Sequence, residues 1–149
     1  MNDAFEGNLK LIGKNKEDLK IISAYLQDSI VSVSDIVFLQ KNKTFVMIVN
    51  RFMWENPDRV IYGENKRIRC AVKFEDVMSV KSKNVNQTNK DKFFECLAIE
   101  CSSEIEEYQE INIFFAGDSV ITLTSEAIEA QLNDLGKSWN VKKAPKHKI

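Results

Sequence analysis

Glycine is scarce in this chain, five of 149 residues, and proline scarcer, two. With so few glycines no loop is rich enough to cradle a phosphate in backbone amides, and neither G-x-x-x-x-G-K-[ST] nor G-x-G-x-x-G occurs. P-loop nucleotide hydrolysis and Rossmann-type redox chemistry are therefore not expected. Histidine is limited to His147, inside the terminal run KKAPKHKI. A Ser-His-Asp or Cys-His mechanism would have to draw its base from a flexible end. The three cysteines, Cys70, Cys96 and Cys101, are odd in number and form no C-x-x-C pair. They read as small buried hydrophobes, with no metal and no cofactor expected. No apolar run approaches the ~20 residues that span a bilayer. The opening MNDAFEGNLK lacks the basic-then-apolar pattern of a signal peptide, so a cytoplasmic location with reduced thiols is expected.

What the chain has is the usage of an ordinary globular domain, 44% hydrophobic and 29% charged with a net charge of −1. Residues 1–136 read as one domain, with the first ~7 loose and 137–149 a mobile basic tail of five lysines and no acid. NLKLI at 8–12 fits a short edge strand. Asn15 then caps a helix with Glu17 and Asp18 in its first turn, and Leu19, Ile22, Leu26 and Ile30 form its apolar stripe.

Beyond this helix the period changes from 3.6 to 2. Strands are predicted at Val31 to Leu39, Thr44 to Trp54, 67 to 74, Val77 to Ser82, Phe93 to Cys101, Tyr108 to Phe115 and Ser119 to Thr124. Ser125 then reads as the N-cap of a closing helix that buries Ile128, Leu132 and Leu135 and stops at Gly136. The expected class is α+β, mostly β. Its leading architecture is a seven-stranded antiparallel, pleckstrin-homology-like barrel, or a strongly bent sheet, with an N-terminal helix and a C-terminal capping helix. This rests on element order, which does not establish function.

Arginine is the informative scarcity. There are four, Arg51, Arg59, Arg67 and Arg69, against 17 lysines, and all four fall within 19 residues. Where lysine serves wherever a simple charge suffices, the remaining arginines mark positions that need the planar, five-donor guanidinium. In NRFMWEN, at 50–56, one face of the strand carries Phe45, Met47, Val49, Arg51 and Met53, and the other carries Val46, Ile48, Asn50, Phe52 and Trp54. Whichever face is interior holds one polar side chain. Two readings follow: a structural salt bridge of Arg51 with Asp28 or Glu55, or a binding site in which Arg51, Arg67 and Arg69 recognise a carboxylate or phosphate and Trp54 stacks on the ligand.

LQD at 26–28, NRFMWE at 50–55 and DLGKSW at 134–139 resemble a family of short, single-domain, uncharacterised bacterial proteins, over nearly the whole chain from Leu9 to about Trp139. The resemblance implies a bacterial, cytosolic, stand-alone protein and carries no activity. The residues themselves point to a non-enzymatic binding module for an anionic ligand or protein partner, with no membrane insertion. Charge is uneven along the chain: residues 51–83 hold eight basic and five acidic side chains, and 91–118 hold one basic and eight acidic. Two alternatives stay open. One is a single-stranded RNA contact through Arg67, Arg69, Trp54 and the tail. The other is an enzyme using acidic residues around Glu55 and Asp58.

Overall fold

The computed structural model describes residues 9–105 and 107–145. The expected loose N-terminus and His147 lie outside the described residues. Nine strands form one antiparallel sheet among them: β1 (Lys10–Gly13), β2 (Ile30–Leu39), β3 (Thr44–Phe52), β4 (Asn65–Phe74), β5 (Val77–Lys83), β6 (Phe93–Ile105), β7 (Tyr108–Phe115), β8 (Ser119–Ser125) and β9 (Ala130–Val141). Two α-helices accompany them, α1 (Lys16–Leu26) and α2 (Asp58–Tyr62).

The spatial order is β1-β9-β4-β3-β2-β6-β7-β8-β5. The sheet does not close, which corrects the seven-stranded pleckstrin-homology-like barrel: β1 and β5 are its free edges. Its two halves are paired where Ile30, Val31 and Ser32 of β2 meet Glu95, Phe94 and Phe93 of β6, with Asp28 N–H donating to the Cys96 carbonyl and Val33 N–H to the Lys92 carbonyl on either side. The chain crosses between the halves at a corner. There the Ser125 hydroxyl lies within hydrogen-bond reach of the carbonyls of Glu75, Asp76 and Ala127, its one proton going to one of them at a time, and Glu75 N–H donates to the Glu129 carbonyl.

The C-terminal capping helix is the second correction. Ser125 caps nothing; it ends β8. The segment read as helical is β9, paired with β4 from Phe74↔Ala130 to Asn65↔Val141 and with β1 from Gly13↔Ala130 to Lys10↔Asn133. Ala130 and Leu132 fit an inward period of 2 as well as the helical spacing read through Ile128 and Leu132, so tertiary pairing decides. Gly136 does adopt the left-handed region, φ 71°, but in the service of a bulge. Opposite Arg67 and Arg69, β9 places Trp139 and Leu135, so three of its residues face the single Ile68 of β4. Lys137–Val141, assigned from sequence to the tail, complete this strand.

An end-closing helix exists, but it is α1. The Asn15 side chain accepts from Asp18 N–H at 2.8 Å, and Leu19, Ile22 and Leu26 are buried in the core with Phe45, Met47, Val72 and Ile111. Each such side chain contributes about 1.5–3 kcal/mol by leaving water. The helix ends at Leu26, short of Ile30, because Ile30 opens β2. Gly13 lets β1 approach it: a Cβ there would meet Ile22 Cδ1 at 2.8 Å.

Candidate functional site

The arginine interval spans the end of β3, α2 and the start of β4, and the two-residue alternation sends its guanidinium groups to different sides. Phe45, Met47, Val49 and Arg51 face the interior, so Arg51 is the polar member of an apolar row, with 0% of its surface exposed. Its Nε and Nη2 donate to the two carboxylate oxygens of Asp134 at 2.7 and 2.8 Å. Nη1 and Nη2 donate to Glu55 at 3.0 and 2.6 Å. Both forks are bidentate, the geometry that a lysine cannot reproduce. Burial alone would depress the Arg51 pKa; the hydrogen bonds and charges of Asp134 and Glu55 outweigh it and raise it.

Asp134 is the partner that sequence reasoning missed. It was placed on the expected helix, whereas β9 continues Ala130, Leu132 and Asp134 towards the interior, and the Asp134 side chain is 1% exposed. Its Oδ2 also accepts Leu9 N–H at 3.2 Å. The expected bridge is thus corrected at one member. Glu55 holds Arg51, Asp134 stands where Asp28 was expected, and Asp28 offers its backbone carbonyl to Arg67.

Arg67 and Arg69 alternate with the buried Lys66, Ile68 and Cys70 and lie on the outer face of the sheet. Arg67 is half-buried. Its Nη1 donates to the carbonyls of Asp28 at 3.1 Å and Asn50 at 2.9 Å, and its guanidinium lies 5.7 Å from the Phe52 ring. Burial lowers its pKa, against the charges of Asp28 and Glu95. Arg69, opposite Asn50 on β3, is exposed.

Trp54 is half-buried. Its Nε1 donates to the Gln27 carbonyl at 3.0 Å, and its ring meets Phe52 edge-on, centroids 4.5 Å apart. Arg59 lies over the other reach of the indole at 5.4 Å, and its Nε is buried without a hydrogen-bond acceptor. Arg59, Trp54, Phe52 and Arg67 thus form one continuous row, two aromatic rings in edge contact with a guanidinium at each end. Across the sheet the row continues to Trp139, the β9 partner of Arg67.

Between Trp54 and β4 stands α2, which was not foreseen. The Asn56 side chain accepts from Asp58 N–H at 3.2 Å and donates to the Glu64 carbonyl at 3.2 Å; Gly63 ends the helix at φ 66°. Asn-Pro at 56–57 and Gly63 were the available signals for this short helix. Its Val60, Ile61 and Tyr62 are 79%, 69% and 72% exposed. The three lie in succession on this hydrogen-bonded projection.

The charge asymmetry also takes a spatial form. Basic β4 and acidic β6 and β7 lie in different halves of the sheet. Cys70 and Cys96 are buried, and burial foremost, with the charge of Asp134 at Cys70 and of Asp28 at Cys96, pushes each thiol up to about 12. No helix among the described residues is long and apolar enough to cross a membrane. A family model described as "Protein of unknown function (DUF2948)" matches residues 9–147. No curated protein and no solved structure matches the chain.

Proposed function

The chain belongs to the DUF2948 family of proteins of unknown function, and from its own geometry we propose that it is a non-enzymatic interaction module that docks an acidic partner protein. The docking surface is the α2 end of the sheet: Val60, Ile61 and Tyr62 as the apolar centre, with Arg59, Arg67, Arg69 and Trp139 around it. The single observation that carries this reading is the row Arg59–Trp54–Phe52–Arg67 beside three exposed apolar side chains. Aromatic residues and arginine supply most of the energy of protein interfaces, and a basic rim steers an acidic partner.

Arg51 takes no part in the contact. Four of its five N–H donors are spent on Glu55 and Asp134 inside the fold, so its role is to hold the end of β3 and the start of the α2 segment in place. The same bonds weigh against acid–base catalysis at Glu55, since both of its oxygens already accept from Arg51.

The test uses exposed positions so that folding is unaffected. Full-length protein, wild type and the variants Arg69→Glu and Ile61→Ser, is captured at low salt from its host lysate and measured by native mass spectrometry with an absorbance ratio. Wild type should carry an acidic protein that both variants lose and that moderate salt releases. Equal capture by the variants, or bound material absorbing as RNA, would overturn the proposal.

A further inference from the structure

A second opening lies at the other end of β3, about 20 Å from Arg51 at ~3.3 Å per residue. There the two halves of the sheet part. β2 leaves β6 after Ser32, and its pairing with β3 is interrupted between Val31 and Ile36, while β5 pairs with β8 alone. The gap is a cleft of about 290 Å³ walled by Phe38 and Phe45 on one side and Val80 and Ile121 on the other. Ser82, Gln87 and Lys90 are its polar residues, with Gln87 Nε2 donating to Ser82 Oγ at 3.5 Å, and no acidic side chain among the described residues lines it.

The loop that carries Gln87 and Lys90 is pinned. Ser32 donates its hydroxyl to the Lys90 carbonyl at 3.0 Å, and Val33 N–H donates to the Lys92 carbonyl at 3.1 Å. Lys90 itself makes no ion pair among the described residues. The cleft therefore joins apolar walls to one cation without an ion pair among the described residues, with the linked Gln87 amide and Ser82 hydroxyl beside it.

We infer that this cleft binds a small carboxylate with an apolar body of about ten carbon atoms, independently of the surface around α2. Its volume is nearly twice that of the ~150 Å³ apolar cavity that holds benzene, which sets the size of the body. A ligand pocket of this kind is mostly apolar with a few placed polar groups that fix orientation. The charge of Lys90 selects an anion over an alcohol or amine. A single cation between apolar walls suits a singly charged headgroup on an apolar body better than a phosphate dianion.

Sodium decanoate, with decan-1-ol as the uncharged control, tests this by methyl and amide NMR on the full chain. Saturable shifts are expected at Phe38, Val80 and Ile121. Lys90→Glu changes an exposed side chain and should fold; it should weaken decanoate at least about tenfold, the worth of one charged hydrogen bond, and leave decan-1-ol unchanged. Val80→Phe, which fills the cleft from an edge strand, should abolish both. Absence of saturable shifts at the cleft, or decanoate binding that Lys90→Glu leaves unchanged, would overturn the inference.

Discussion

Four arginines within 19 residues divide into different tasks: Arg51 faces the interior from β3, Arg59 stands on α2 over Trp54, and Arg67 and Arg69 lie on the outer face of β4. Arg51 is a fully buried cation between two carboxylates, an arrangement that survives only while every partner is present. Asp134→Ala should cost about 3–5 kcal/mol in urea unfolding, because it leaves Arg51 half-compensated in the interior and Leu9 N–H without its acceptor. Arg69→Ala, by contrast, should change stability by no more than about 0.5 kcal/mol. The thiols offer a separate check. Cys70 and Cys96, raised to about 12 by burial, should resist iodoacetamide at pH 8 in the native protein and react once it is unfolded. Since their folded pKa exceeds the unfolded value of 9.0, their contribution is complete below pH 9 and declines as pH rises towards 12, so unfolding should become easier over that window.

Among the elements, β9 shows best how a residue preference can be read rightly and placed wrongly. Gly136 carries a positive φ, as the sequence suggests, but in a strand bulge opposite Ile68 where a helix stop was expected. Nothing stands within 4 Å of a Cβ added there, so Gly136→Ala should cost only the strain of an L-residue in the left-handed region, about 1–2 kcal/mol. Gly13→Ala should destabilise through contact instead, because Ile22 Cδ1 must move to admit it. The strands from β2 to β8 were legible because their alternation survives in Ile68, Cys70, Val72 and Phe74 and in the equivalent rows. Helix α1 was legible from Asn15 and its stripe. The long-range pairing of β4 with β9 was not, since Ile128, Leu132 and Leu135 satisfy a helical spacing equally well. Asp134 became invisible as a partner of Arg51 for the same reason.

At the level of the whole molecule, one core is wrapped by a sheet whose halves meet over three residue pairs. That junction should open before the centre of the larger half: native hydrogen exchange is expected to protect β3, β4 and β9 most strongly and the β2–β6 junction at Ile30–Ser32 and Phe93–Glu95 less, with equal protection at the junction as the contrary outcome. The charged strands divide along the same line, β4 basic and β6 and β7 acidic, and the proposed docking face lies on the β4 half. Its arginines were visible in the sequence as a scarcity; its apolar centre on α2 was hidden in a five-residue helix with no periodicity to read. The most direct measurement is a lysine exchange at each arginine followed by urea unfolding. Arg51→Lys should lose about 3 kcal/mol or more, since one ammonium cannot span two bidentate carboxylates, while Arg69→Lys should match wild type within about 0.5 kcal/mol. Wild-type stability in Arg51→Lys would contradict the assignment of Arg51 as the internal brace of this site.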